Sequence, residues 1–209
     1  HQKESIESYL NGQLNIGVLT FGFWPQQAGM ELMVHNLSSQ LTKAGNNVVL
    51  FAPKPKENCQ EIESSYIVRR FKSNEEFKKI FKNHHSAMPF DVLYVQGAYE
   101  PTSLALEIKE ELGVPVVLRT HGEDIQIDKE TNYGYRLDPK KDEVILSNIR
   151  SVDHNVVIGP HILEEVKTLT HNPVSLIYNG VDTNHFKPGR KQNIHERFNL
   201  PEKTKVLIT

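Results

Sequence analysis

Residues 14–52, LNIGVLTFGFWPQQAGMELMVHNLSSQLTKAGNNVVLFA, determine the fold class. The apolar run 14–21 is typical of a β-strand, and 47–52 is a second such run. Between them, apolar residues recur three and four positions apart along 30–44, which predicts a helix that ends at Gly45. The connections are short enough for a crossover between parallel strands. The stretch therefore predicts a strand–helix–strand unit.

The same alternation continues to about residue 178. Further strands are predicted at 65–71, 91–96, 115–120, 154–159 and 174–178, and further helices at 73–85, 101–113, 141–152 and 160–169. Several strand runs are apolar without alternation, which is typical of strands covered on both faces. The sequence predicts a Rossmann-like α/β fold, a doubly wound and mostly parallel sheet with helices on both faces.

Composition limits the class of protein. The chain has 209 residues, 38% hydrophobic and 24% charged, with a net charge of −2 that argues against a nucleic-acid partner. The single cysteine, Cys59, excludes an internal disulfide and is compatible with a reducing compartment. No apolar stretch is long enough to span a bilayer, and residues 1–13 lack a signal-peptide core. We expect a cytoplasmic protein whose first 13 residues are a polar lead-in.

The loop before the first helix is one candidate site. Gly22 and Gly29 are expected to allow positive φ and a close backbone approach, and the helix start offers free N–H groups to an anion such as a diphosphate. There is no G-x-G-x-x-G pattern and no acidic residue after the second strand, so a dinucleotide site is not predicted. Glu31 either lines this anion site or only favours the helix dipole.

A second candidate site follows the fifth predicted strand, in PVVLRTHGED at 115–124. This polar cluster stands at the strand end where α/β sheets place ligand sites, and it comprises Arg119, Thr120, His121, Glu123 and Asp124. The histidine is expected to exchange a proton or to form a hydrogen bond near neutral pH. The alternative is a capping loop in which Asp124 begins a turn. No histidine spacing matches a zinc site, so no metal is predicted.

Two other stretches have simpler interpretations. Asn179 and Gly180 follow a strand and fit a tight turn. The helix at 73–85 places Phe77, Ile80 and Phe81 opposite lysines. This stripe either touches an anionic membrane surface or, as we favour, covers the sheet.

The pattern changes beyond the turn. A polar stretch leads to a short predicted helix at 194–200 and a strand at 205–209 that has no helix to complete its crossover. We therefore expect one domain over 14–188, and a linker with the start of a second domain over 189–209.

Four stretches together resemble the N-terminal half of a family 4 glycosyltransferase with the GT-B fold. They occur in the family's order between about residues 14 and 188: AGME at 28–31, LTKAGNNVVLFAP at 41–53, PVVLRTHGED at 115–124 and NGVDTNHFKP at 179–188. Two features depart from the family. Ala28 replaces the first glycine of its Gly-Gly-x-Glu turn, and Gly159 stands near a position where the family often has serine. The family's E-x7-E motif belongs to a second domain and is absent from this chain.

The resemblance implies a retaining, hexosyltransferase-type enzyme that needs no metal or cofactor. It implies a UDP- or GDP-sugar donor and a glycan, lipid-linked or small-molecule acceptor, with the chain inactive without its C-terminal domain. It places His121 near the transferred sugar, and Ala28, Gly29 and Glu31 at the donor's phosphates and sugar. It implies that Arg119, Glu123 and Asp124 contact the acceptor or support the loop. It implies that Asn179 and Gly180 form an interdomain turn.

Two alternatives stay open. Nucleotide-sugar epimerases share this fold, although the NGVD stretch is more similar to transferases. A non-catalytic sugar-binding module is the other alternative.

Overall fold

The structure, a computed structural model, describes residues 12–56, 62–187 and 194–206. The chain divides into two compact units, the first up to Tyr178 and the second from Asn179. Most of the predicted lead-in at 1–13 and of the predicted strand at 205–209 lies outside the described residues. The domain boundary expected at residue 188 stays a prediction.

The first unit is built on one sheet. Seven strands lie in the order β3-β2-β1-β4-β5-β6-β7, and every neighbouring pair is parallel. The strands are β1 Asn15–Leu19, β2 Asn47–Pro53, β3 Ile67–Phe71, β4 Val92–Gln96, β5 Val116–Arg119, β6 His154–Val157 and β7 Val174–Leu176. The predicted parallel sheet is confirmed; six of its strands are shorter than predicted, and β2 extends one residue further.

Five helices connect these strands. They are α1 Gly29–Lys43, α2 Asn74–Ala87, α3 Glu100–Leu112, α4 Pro139–Ser151 and α5 Pro160–Leu169. A short 3₁₀ turn at Tyr135–Leu137, which the sequence pattern did not predict, precedes α4. None of the helices within the described ranges is long and apolar enough to cross a membrane.

The helices cover the two faces of the sheet unequally. On one face, α2 to α5 contribute to a single buried cluster that includes Phe77, Leu104, Ile145 and Val166. On the other face, α1 contributes Val34 to a smaller cluster. The prediction of helices on both faces is therefore confirmed.

The aromatic stripe of α2 covers the sheet. Phe77 and Phe81 are fully buried in the larger cluster, and Ile80 packs against it. On the outer side, Lys78 pairs with Glu107 and Lys82 with Glu111, both in α3. The interpretation that this helix packs on the sheet is confirmed, because its apolar side is not available to a membrane.

The second unit contains a short helix, α6 Ile194–Arg197, and a turn. The turn is not at Asn179–Gly180, as predicted, but begins at Asp182. The Asp182 carboxylate accepts hydrogen bonds from the backbone N–H groups of Asn184 and His185, at 2.8 and 3.2 Å. An aspartate that bonds to the backbone two residues ahead stabilises a turn by itself, which explains the displacement.

Candidate active site

The carboxyl ends of β1, β4 and β5 are neighbours in the sheet. The segments that follow them, at 20–28, 97–99 and 120–138, therefore gather at one edge. The chain reverses its direction of winding between β1 and β4, and ligands of open α/β sheets bind in the crevice at such a point. Both candidate sites lie at this edge.

The start of α1 is closed on one side by Glu31. This side chain is 3% exposed, and its Oε2 accepts a hydrogen bond from the backbone N–H of Ala28 at 3.2 Å. A glutamate in the first turn that binds the amide before the helix stabilises the helix start. Glu31 thus has a structural contact, and its carboxylate is not open to solvent.

The two glycines of this loop differ from each other in their surroundings. Neither adopts positive φ, unlike Gly45, Gly97, Gly113, Gly122 and Gly134. A Cβ built on Gly22 would meet Glu31 Oε1 at 2.6 Å, so the buried Glu31 side chain would have to shift to admit it. A Cβ built on Gly29 would meet nothing within 4 Å, and both Ala28 and Gly29 are exposed. The N-terminus of α1 is therefore accessible to a ligand.

Arg70 anchors the same loop from β3. Its Nη2 donates to the carbonyl oxygen of Trp24 at 2.7 Å, its Nη1 donates to that of Pro53 at 3.1 Å, and its guanidinium lies 5.3 Å from the Phe23 ring centroid. This residue was not predicted from the sequence. Its only signal is a pair of consecutive arginines, Arg69 and Arg70, in an otherwise apolar short strand.

At the end of β5, Asp124 lies inside its own loop. Its Oδ1 accepts from the backbone N–H groups of His121 and Gly122 at 2.9 and 3.0 Å, and its Oδ2 accepts from Ala98 N–H at 2.9 Å. Burial raises the pKa of Asp124, an effect that these N–H donors oppose. The carboxylate therefore joins the loop after β4 to the loop after β5.

His121 lies beside the last residue of β4. Its Nε2 is 3.1 Å from Oε1 of Gln96. Burial, and then the nearby positive charge of Arg119, lower the pKa of His121 to about 4. The imidazole is therefore neutral at pH 7 and acts there as a hydrogen-bond partner. Of the two expected roles, proton exchange near neutral pH is the less favoured.

Arg119 contacts β4 and the segment after β7. Its side chain is 3% exposed and donates to the Tyr94 hydroxyl and to the Ile177 carbonyl, both at 3.2 Å. Its guanidinium therefore bridges β4 and the segment after β7, and it acts on the candidate site through its charge.

Glu123 lies on a different side of the loop, where it lines an open pocket of about 440 Å³. The pocket has two exposed aromatic side chains, Tyr133 and Tyr135. Lys141 Nζ lies 5.2 Å from the Tyr135 ring centroid and 5.7 Å from that of Tyr99. Glu123 was predicted from the sequence, whereas these aromatic residues were not.

The loop around this pocket is held in place. Asp128 and Tyr133 exchange two backbone hydrogen bonds of 2.9 Å, and Gly134 has φ of +110°. A Cβ on Gly134 would lie 2.0 Å from the Gln126 carbonyl oxygen. Arg136 forms ion pairs with Asp142 of α4 and Glu165 of α5, at 2.7 and 2.6 Å. Loop 122–138 is therefore an ordered part of the domain.

Within the three described ranges, no group of three or more His, Cys, Asp or Glu side chains is arranged to hold a metal ion. Two buried carboxylates of the candidate site, Glu31 and Asp124, are both bound to backbone N–H groups.

Comparison with known proteins gives one family and a set of similar folds. The sequence model described as Glycosyltransferase Family 4 matches residues 28–185, which is most of the chain. No curated protein matches the sequence. Sucrose-phosphate synthase from Thermosynechococcus elongatus has a similar structure, with a TM-score of 0.73 and 14% identity over 91% of this chain and 54% of that one. A glycosyltransferase from Rickettsia africae has a TM-score of 0.58 and 12% identity, over 92% of this chain and 51% of that one. The chain thus spans about half the length of the solved structures that it matches.

Proposed function

Because the chain belongs to Glycosyltransferase Family 4, we propose that its protein transfers a sugar from a UDP- or GDP-sugar to an acceptor hydroxyl, with retention of the anomeric configuration. In this reaction the acceptor oxygen bonds to the anomeric carbon as the bond from that carbon to the diphosphate oxygen breaks. The hydroxyl proton passes to the leaving phosphate oxygen.

The donor side of the proposal rests on the start of α1. A helix N-terminus carries unpaired N–H groups and partial positive charge, which stabilise a diphosphate more strongly as its negative charge grows during bond cleavage. Ala28 and Gly29 are exposed there, and space is open above Gly29. The buried Glu31 carboxylate accepts the Ala28 N–H and so stabilises this helix start. We do not propose that it contacts the phosphates.

The sugar side rests on His121, and its geometry is the observation that carries the proposal. The ring is held at the end of β5 by the contact of its Nε2 with Gln96 and by the contact of its backbone N–H with Asp124. A neutral imidazole can form a hydrogen bond with a sugar hydroxyl. It does so without placing a positive charge beside an oxocarbenium-like transition state. Glu31 and Asp124 are bound to backbone N–H groups, so we propose neither as a nucleophile.

We propose that the acceptor is a carbohydrate and that it uses the pocket beside Glu123. Exposed tyrosine rings offer an apolar face to a sugar ring, and carboxylates accept hydrogen bonds from its hydroxyls. Burial and then the charges of Glu123 and Asp124 raise the pKa of Tyr133. This negatively charged environment favours the binding of a neutral sugar over that of an anionic one.

The test uses the full-length protein. UDP-glucose, UDP-N-acetylglucosamine and GDP-mannose are screened for thermal stabilisation, and each is then incubated with neutral oligosaccharides. Release of UDP or GDP together with a new glycosidic signal in the proton NMR spectrum is expected, and the one-bond C1–H1 coupling of the product shows whether configuration is retained.

Each other result contradicts a defined part of the proposal. A product of inverted configuration would refute retention only. Interconversion of the donor sugar without acceptor would identify an epimerase. Donor or oligosaccharide binding without any turnover would identify a sugar-binding module.

A further inference from the structure

Gln96 is a buried polar residue that the sequence analysis did not select. It is the last residue of β4 and only 1% exposed. The sheet register pairs Gln96 with Arg119, so the two side chains lie on the same face, and His121 follows Arg119 by two residues. This placement brings the Gln96 Oε1 to 3.1 Å from the Nε2 of His121, although the residues are 25 positions apart in the sequence.

The chemistry of this contact depends on one proton. A neutral imidazole carries a hydrogen on one of its two nitrogens, and a carbonyl oxygen can only accept. With Oε1 of Gln96 facing Nε2, the proton is on Nε2, and Nδ1 is then the acceptor. Within the described residues the Gln96 amide nitrogen has no hydrogen-bond partner, so the side-chain oxygen makes the hydrogen bond that orients this carboxamide.

We propose that Gln96 is a positioning residue that holds His121 in the tautomer protonated at Nε2, so that Nδ1 accepts a hydrogen bond from a substrate hydroxyl. The role of Nδ1 toward substrate rests on the proposed function, whereas the tautomer does not. The charged groups nearest to this pair act differently: Arg119 disfavours a second proton on the ring, and Asp124 binds the backbone N–H of His121.

The alternative is the opposite orientation of the Gln96 carboxamide. If the carboxamide were rotated by half a turn, its NH₂ group would donate to Nε2, and the ring proton would move to Nδ1. His121 would then donate to the substrate instead of accepting from it. The two arrangements therefore predict opposite protonation of the same two nitrogens.

The experiment measures the tautomer directly in the ¹⁵N-labelled chain. Long-range ¹H–¹⁵N NMR spectra are recorded at pH 7, and the His121 signals are identified by their loss in His121→Gln. We expect Nε2 to carry the proton and Nδ1 to be unprotonated. The reverse assignment, or a ring that is positively charged at pH 7, would overturn the proposal.

Two variants test the role of Gln96 itself. Gln96→Glu places a carboxylate at the same acceptor position, so the pKa of His121 should rise by at least about one unit. Gln96→Leu removes the acceptor, so the Nε2–H proton should exchange with solvent at least about tenfold faster. Gln40→Leu, on the exposed side of α1, is the matched control and should leave His121 unchanged. Unchanged His121 exchange in Gln96→Leu would refute the role of Gln96.

A kinetic measurement in the full-length protein separates this inference from the proposed function. Gln96→Leu should lower kcat with little change in the KM for the donor, and Gln96→Glu should introduce a new pH dependence of kcat. If the protein transfers no sugar at all, the proposed function fails while the tautomer assignment stands. If transfer occurs and Gln96→Leu has wild-type kcat, the positioning role is wrong.

Discussion

The Glu31 carboxylate occupies the space that any side chain on Gly22 would need. A Cβ built on Gly22 would be 2.6 Å from Glu31 Oε1 and 2.7 Å from Met30 Cε. The other oxygen of the same carboxylate accepts the Ala28 N–H. The bend after β1 and the start of α1 are therefore fixed by one buried side chain.

Gly22→Ala should destabilise the domain, because the new methyl group displaces the Glu31 carboxylate from its contact with Ala28. We expect a loss of about 1–3 kcal/mol in the free energy of unfolding, the usual cost of an overpacked site. Urea unfolding measures it. Gly29→Ala, where the added methyl group meets nothing within 4 Å, is the control and should not destabilise. Equal stability of the two variants would contradict the packing argument.

Gly29→Val should weaken donor binding while preserving the fold. The branched side chain would occupy the open space at the start of α1, where we propose that the diphosphate lies, and it requires no unusual φ. We expect the Kd for the preferred nucleotide-sugar to rise about tenfold, or ~1.4 kcal/mol. Isothermal titration of the full-length protein measures this affinity. Gln40→Val near the other end of α1 is the control, and equal affinities for both variants would remove the loop from the donor site.

His121→Ala should lower sugar transfer by at least about tenfold, a loss of ~1.4 kcal/mol in transition-state stabilisation. The reason is the loss of a hydrogen-bonding ring that Gln96 and Asp124 hold in place. Initial rates are compared in the full-length protein, with circular dichroism to confirm the fold. His171→Ala changes an exposed histidine elsewhere in the chain and should retain full activity. Unchanged turnover in His121→Ala would remove this residue from the site.

Stability should fall as the pH is lowered from about 6.5 to about 4. The folded state keeps His121 neutral with a pKa of about 4, whereas the unfolded chain takes up a proton near its ordinary value of 6.5. The unfolded state binds more protons in this window, so folding is disfavoured there by up to about 3 kcal/mol. The measurement is urea unfolding at several pH values for wild type and His121→Gln. The difference between them isolates this histidine from Asp124, whose raised pKa acts in the opposite direction. Parallel stability curves would contradict the prediction.

Asp124→Asn should destabilise the domain by about 2 kcal/mol. The amide retains one oxygen acceptor but turns an NH₂ group toward backbone donors that a carboxylate had satisfied. Thermal and urea unfolding measure the loss. The neighbouring Glu123→Gln changes the same charge at an exposed position and should alter stability by less than about 0.5 kcal/mol. A stable Asp124→Asn variant would show that its carboxylate does not hold the loop.

The fold was predictable because its signals are local. Strands such as β2, buried along most of its length, are uninterrupted apolar runs, and α1 shows its buried side at helical spacing. The ends of these elements were less predictable, since tertiary contacts decide where each strand leaves the sheet. The turn after residue 178 was misplaced because the competing aspartate, Asp182, lies only three residues beyond Asn179.

The site was predictable only in part. His121 and Asp124 could be selected from the sequence because they are polar residues that directly follow a buried strand. Gln96 and Arg70 were missed because each lies within a strand and has its partner 25 or 46 positions away in the sequence. Such a pairing exists only once the strand order is known. The conformations of Gly22 and Gly29 were also beyond the sequence, because glycine permits positive φ without requiring it.

The chain's single tryptophan, Trp24, lies in the segment between β1 and α1, with its ring 5.7 Å from Phe23 and 5.3 Å from His35. Tryptophan emission from this chain therefore has one origin, and that origin is the loop whose backbone Arg70 holds. A nucleotide-sugar that settles at the start of α1 would change the surroundings of this fluorophore, whereas a sugar bound beside Tyr133 would leave them as they are. The fold thus carries an optical reporter of the loop before α1 that needs no added label.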